Sequence, residues 1–189
     1  MRSVDVHSFE VNVGQSAAWQ ARAVEQTEVL ALYRLLAGHG ISVWLDGGWG
    51  IDALLGAQTR DHEDVDIVVE LDRLDDVLRA VARLGFVLVE DHLPTRAVLR
   101  SPAASQIDLH PVIFDENGCG WQRHAAPDGT DCPYPASGLG QGLLLGTTVP
   151  CLTPELQVEH HRGYVPRERD RLDMAALANA FGLTLPEPY

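Results

Sequence analysis

Lysine is missing altogether: all 14 basic side chains of the 189 residues are arginine, set against 27 acidic ones for a formal charge of −13. A chain this acidic lacks the basic surface that phosphate-backbone contacts need, which excludes general DNA or RNA binding. It draws cations instead, a metal ion or a positively charged small molecule. Solvated acidic faces that keep the chain soluble are the plainer alternative. No apolar run approaches the roughly 18 residues of a membrane span. The amino-terminal stretch carries charges throughout and has no apolar core of a secretory signal. The expectation is a soluble, cytoplasmic protein with no membrane and no nucleic-acid partner. Cys119, Cys132 and Cys151 form no CxxC pair and no zinc pattern with the histidines, and read as reduced thiols. Repeats and low-complexity linkers are also absent. What is present, 46% apolar and 22% charged residues, is the composition of a globular domain. At this length a chain buries roughly 70% of its extended surface and needs no staple.

The apolar pattern sets out the elements. Residues 3–13 alternate loosely, as an edge strand or ordered extension would. Residues 16–37 predict a helix with Val29, Leu32, Tyr33 and Leu36 on one face, stopped by Gly38 and Gly40. A buried strand over 41–45 ends at Asp46-Gly47-Gly48, and a short helix follows over 49–55. A second strand covers 64–70, then a helix over 71–84 with Leu74, Val77, Leu78 and Val81 as its stripe and Asp72 as its cap. A third strand spans 86–90, and 96–100 with 106–114 form a hairpin around 101–105. Residues 115–150 read as loops with short strands, and Gly138-Leu139-Gly140-Gln141-Gly142 as a flexible loop. Helices over 154–161 and from 166 or 167 to 181 close the chain, the last with Leu172, Ala176 and Ala180 inward. The order is that of an α+β fold.

The chemistry lies in one spacing. Gly47-Gly48 follows a strand and opens a helix, and Asp64-Val65-Asp66 begins 16 residues after Gly48. Side chains alternate along a strand, so Asp64 and Asp66 share a face, their Cα atoms about 7 Å apart. Asp108 and His110 repeat that geometry on a later apolar strand. Three acids converging on one sheet raise each other's pKa and call for a cation. Magnesium fits, because it takes hard oxygen ligands and keeps positions for substrate phosphates. Glycines at 47 and 48 let backbone approach a phosphate, and the helix they open aims unpaired N–H groups at it. Arg60 can neutralise phosphate charge or stand as a solvated loop residue, and His62 can donate to a phosphate or cap its strand. His110 can orient Asp108, touch the acceptor, or simply pack. Trp49 can stack on a ligand. Asp170 and Asp173 read first as acids favoured by a helix N-terminus.

The stretch Asp46-Gly47-Gly48-Trp49-Gly50-Ile51-Asp52-Ala53-Leu54-Leu55-Gly56, then Thr59-Arg60, His62 and Asp64-Val65-Asp66-Ile67, resembles the nucleotidyltransferase superfamily of the DNA polymerase β type. More narrowly it is similar to the small antibiotic nucleotidyltransferases that adenylylate lincosamides or the 2″-hydroxyl of aminoglycosides. Ile107-Asp108-Leu109-His110-Pro111-Val112 continues the likeness, and its His-Pro is closer to the lincosamide branch. Cys151-Leu152-Thr153, His161, Gly163-Tyr164 and Asp170-Arg171-Leu172-Asp173 extend it, so that it covers about 27–182. The division implied is an N-terminal extension over 1–26, a nucleotidyltransferase domain over 27–182 that includes the C-terminal helices, and a tail over 183–189. The resemblance implies a polymerase β-like mixed sheet flanked by helices, ATP as donor, two Mg²⁺ ions, and transfer of AMP to a hydroxyl. Asp64, Asp66 and Asp108 match the metal-holding acids, with Asp108 also the general base. Gly47, Gly48, Arg60 and His62 match the nucleotide side, and His110, Tyr164 and Asp170 are the candidates for acceptor binding. The acceptor expected is a small cationic antibiotic, and a homodimer that completes the site is a further expectation. A protein hydroxyl as acceptor, and a nucleotide-binding module without catalysis, are the alternatives.

Overall fold

The computed structural model describes residues 22–189. The strand-like reading of 3–13 and the first turn of the helix expected from 16 lie outside the described residues. Residues 22–25 are extended, and α1 runs over Gln26–Gly38. The helix cannot begin sooner, because Val24 donates its amide to the His62 carbonyl at 2.7 Å and the Glu28 carboxylate turns back to accept the Glu25 amide at 2.9 Å.

Strand β1 (Val43–Asp46) passes directly into α2 (Gly47–Leu55), whose first amide donates to Asp46 Oδ1 at 2.7 Å. The glycines thus lie inside the first turn of α2 instead of ahead of it. Strand β2 (Asp64–Glu70) matches its expected span. A 3₁₀ turn over Leu71–Arg73 then leads into α3 (Leu74–Ala82), and Asp72 lies inside that turn and caps nothing. The sheet continues with β3 (Val87–His92), β4 (Arg96–Arg100) and β5 (Gln106–Phe114). After β6 (Gly120–Gln122) and β7 (Cys132–Tyr134) come β8 (Leu139–Leu144), β9 (Thr147–Leu152), α4 (Pro154–His160) and α5 (Glu168–Phe181).

The main sheet has the order β3-β4-β5-β2-β1-β9-β8, and β6 and β7 extend it from β5. The β2–β5 and β1–β9 pairs are parallel and the others antiparallel, so the sheet is mixed. One face carries Val43, Leu45, Val65, Ile67, Val69, Ile107 and Leu109 in the main core with α1 and α3. The opposite face divides. Val68, Val112, Leu152 and Tyr134 form a smaller cluster with Leu156 of α4, while the positions next to them on β1, β2 and β5 are polar.

Two further readings are corrected. Residues 138–142 are no flexible loop: β8 takes most of them into the sheet against β9. A Cβ on Gly142 would lie 2.4 Å from the Ala53 backbone, so its glycine lets α2 rest directly on the strand. Helix α5 is rotated from the expected face. Leu172 is 62% exposed, and Met174 and Leu177 are buried with Ile51 and Val158 while Asp173 turns in to Arg60. That ion pair fixes the rotation, which apolar periodicity alone does not reveal.

Candidate active site

Asp46 faces Asp66 in the antiparallel β1–β2 pairing, and Asp66 faces Asp108 in the parallel β2–β5 pairing. Register partners project to the same side of a sheet, so three carboxylates stand abreast on adjacent strands. Asp64 lies two residues along β2 on that face, opposite Gln106. Asp64, Asp66 and Asp108 thus share one face of the sheet, as the alternation predicts, and Asp46 stands beside them as a fourth acid.

Each carboxylate but one has a counter-group. Asp108 is buried and accepts from Arg96 Nε at 3.1 Å and from Gln106 Nε2 at 2.8 Å, with Arg96 Nη2 closing the pair. Asp66 Oδ1 is 3.0 Å from His110 Nε2. Asp46 Oδ2 is 3.7 Å from His160 Nδ1. Burial opposes ionisation of Asp46, but His160 outweighs it and holds this carboxyl below the ordinary range. Burial likewise opposes protonation of His160, yet its bonds to Asp46 and Cys132 push it up to about 10. Asp64 has no hydrogen-bond partner among the described residues. Burial first, and then the charges of Asp66 and Asp108, raise it to about 6. For His110 burial works against protonation, but the bond to Asp66 and the nearby Asp46 and Asp108 raise its pKa.

The glycine turn closes on these side chains. Gly47 has φ +55°, and a Cβ there would lie 2.5 Å from Asp66 Oδ2. A Cβ on Gly48 would lie 2.2 Å from His62 Nδ1 and 2.8 Å from Arg60 Nη2. His62 is only 2% exposed and props the turn from behind, with Nε2 2.5 Å from Asp52 Oδ2 and its ring against Trp49. Asp52 is held in turn by the Thr59 amide at 3.0 Å and the Thr59 hydroxyl at 2.6 Å. Trp49 is itself buried and packs at a tilt against this histidine, with no face left for a ligand. Arg60 grips Asp173 of α5 with Nε at 3.0 Å and Nη2 at 2.6 Å. Tyr164, in the connection from α4 to α5, has its ring 6.4 Å from that of His161. Asp170 accepts the Arg167 amide at 2.8 Å at the start of α5. Neither makes a hydrogen bond to the carboxylate row.

The donor set suits a hard divalent cation, which takes oxygen ligands. Asp64 and Asp66 offer carboxylates on one face, and Asp64 is left without a partner at a raised pKa. Among the described residues no group of three His, Cys, Asp or Glu converges to cage an ion alone. Substrate oxygens would have to complete such a shell. Arg96, Gln106, Asp46 and His160 belong to this site although the sequence reading did not select them. For Arg96 and Gln106 the signal was alternation, since Arg96 and Arg100 share one face of β4, and Gln106, Asp108 and His110 occupy every second position of β5. His160 gave no local signal, because only the packing of α4 brings it to Asp46.

The glycine turn at the start of α2 thus faces a row of strand carboxylates. Residues 28–177 match the family model for aminoglycoside-2″-adenylyltransferases, and the chain belongs to that family. It is 28% identical over 154 residues to a lincosamide resistance protein of Staphylococcus haemolyticus, covering 82% of this chain and 94% of that protein. It is also 28% identical over 131 residues to a 2″-aminoglycoside nucleotidyltransferase of Escherichia coli, covering 68% of this chain and 69% of that one. The crystal structure of the lincosamide antibiotic adenylyltransferase LnuA with lincomycin bound superposes with a TM-score of 0.75 at 27% identity, over 82% of this chain and 98% of LnuA. Among the described residues no helix is long and apolar enough to cross a membrane.

Proposed function

We propose that this enzyme transfers AMP from ATP to a hydroxyl of a small antibiotic, a lincosamide in preference to an aminoglycoside, with Mg²⁺. The observation that carries the reading is the carboxylate row, in which Asp66 and Asp108 are paired in register and Asp64 is unpartnered beside them. Asp64 and Asp66 would hold the metal, two ions in all, with triphosphate oxygens filling the remaining positions. Mg²⁺ supplies charge neutralisation on the phosphates and lowers the barrier to in-line displacement. The Gly48 amide in the first turn of α2 would face the phosphates, the Gly47 amide being held by Asp46 Oδ1, and Arg60, anchored by Asp173, is the cation on that side. His62 supports the turn from behind.

The acceptor oxygen forms a bond to the α-phosphorus as the bond to the bridging oxygen breaks and pyrophosphate leaves. The hydroxyl proton passes to Asp108. A free carboxylate is a weak base towards an alcohol, so the acceptor must be oriented and polarised as it reacts. Beyond Asp108, Arg96 and Arg100 meet Glu90 at 3.5 Å and 3.4 Å, so charges on this flank largely cancel. Such a flank suits a hydroxylated acceptor with one ammonium better than a polycation. The near-complete coverage of the lincosamide resistance protein supports the same choice. His110 lies on this side beside Asp66, and Tyr164 and Asp170 are the candidates for the outer wall.

The test is pyrophosphate release from ATP and Mg²⁺ on adding a lincosamide or an aminoglycoside. The proposal predicts release that depends on both metal and acceptor and is faster with the lincosamide. Release with the aminoglycoside alone would reverse the acceptor preference, and failure to bind nucleotide would overturn the reading.

A further inference from the structure

Gln122 is 5% exposed and Tyr134 2% exposed, and both stand outside the carboxylate row. They are nevertheless joined to it. His110 Nδ1 is 3.2 Å from Gln122 Nε2. The same nitrogen donates to the Thr95 carbonyl at 2.7 Å, and the Tyr134 hydroxyl donates to Gln122 Oε1 at 2.8 Å. The two ends of an amide are alike in shape, so partners must decide which way it points. A hydroxyl can give or accept and decides nothing. A backbone carbonyl can only accept, so the end of Gln122 that faces Thr95 must be the NH₂ group. That group also faces His110. A neutral imidazole has one N–H and one bare nitrogen, and the nitrogen that meets an N–H must be the bare one.

We propose that Gln122, oriented by the Thr95 carbonyl, is a positioning residue that places the hydrogen of His110 on Nε2 in the neutral form of the ring and so locks the Asp66 carboxylate. Asp66 Oδ1 is committed to the His110 N–H, and Oδ2 is the oxygen that faces the Gly47 turn, where a Cβ would meet it at 2.5 Å. The hydrogen-bond chain from β6 through β5 to β2 therefore selects which oxygen of Asp66 is presented on the nucleotide side. This deepens the proposed role of Asp66 and rests on it. Partners that orient a ligating carboxylate typically carry about 10–100-fold in metal affinity.

The test is long-range ¹H–¹⁵N correlation of the histidine rings in the full chain, at alkaline pH where the ring is neutral, with His110→Asn to assign the signals. Wild type should show Nε2 protonated and Nδ1 bare. Gln122→Glu places an acceptor opposite Nδ1, so that both ring nitrogens face carboxylates and Nδ1 should carry a hydrogen as well, while Mn²⁺ affinity falls about 10–100-fold. Tyr134→Phe should keep the wild-type pattern, because Thr95 still orients the amide. A protonated Nδ1 in the wild type overturns the proposal whether or not the variants fold. So would a Gln122→Glu chain with Nδ1 still bare or with unchanged Mn²⁺ affinity, and an altered tautomer in Tyr134→Phe would take the orienting role from Thr95. A wild-type chain that binds no Mn²⁺ would remove the metal role of Asp66 while leaving the tautomer result standing.

Discussion

Arg96 and Asp108 form an ion pair across neighbouring strands, with Arg96 Nε 3.1 Å from Asp108 Oδ2. Val98 is the register partner of Asp108, so Arg96 reaches it from two positions along β4 on the same face. Together with Gln106, this arginine makes a buried carboxylate tolerable beside Asp66. Replacing Arg96 with Met removes the counter-charge and leaves Asp108 short of partners. The expected loss is about 1–3 kcal/mol of stability by urea unfolding. Arg96→Lys should recover only part of it, since lysine has no planar fork.

The acids divide by role. Asp64→Asn and Asp108→Asn should each reduce kcat by at least about 10²-fold, since electrostatic stabilisation at the reacting phosphate is the largest contribution. Nucleotide affinity, read by titration with Mg²⁺ and ATP, should fall further for Asp64→Asn, because Asp64 is the unpartnered acid on the triphosphate side. Equal losses of affinity would contradict the division.

Stability should record the raised pKa of Asp64. At about 6 in the folded chain, against about 3.9 for an unperturbed aspartate, the folded state holds the extra proton between those values. Stability contributed by this group therefore falls as pH rises through the window of about 4 to 6. With divalent ions removed, the difference in urea midpoint between wild type and Asp64→Asn should widen in favour of the variant over that interval. A difference that does not change with pH would mean that Asp64 titrates normally.

The glycine turn should resist any side chain. Gly48→Ala would place a methyl 2.2 Å from His62 Nδ1, a ring that is buried and fixed by Asp52. Overpacking of this kind costs about 1–3 kcal/mol, occasionally more. Nucleotide affinity should drop as well, since α2 must shift. Gly56→Ala gives a control for left-handed strain alone, because its φ is +72° and nothing lies within 4 Å of a Cβ there. It should cost stability and spare nucleotide binding.

Much of this arrangement is legible in the sequence because its signals are local. Strand β2 announces itself by Val65, Ile67, Val68 and Val69, and alternation alone puts Asp64 and Asp66 on one face. The 101–105 turn and Asp108 follow in the same way. What local pattern does not carry is the partner of each charge. Arg60 meets Asp173 across 113 residues and His110 meets Asp66 across 44. The rotation of α5 and the place of His160 depend on such pairs. Gly138 to Gly142 misled for a related reason, since Gly142 reflects the close approach of α2 and Gly138 that of Leu156 of α4, and not a flexible backbone.

The most direct test of the central claim is intact-mass measurement of the acceptor. Purified chain, Mg²⁺ and each of the four nucleoside triphosphates are incubated with a lincosamide and with an aminoglycoside, beside Asp108→Asn. The account predicts an acceptor heavier by one AMP with ATP and wild-type chain, and none with the variant under the same conditions. An acceptor of unchanged mass despite bound Mg²⁺ and ATP, or an equal yield from Asp108→Asn, would contradict it.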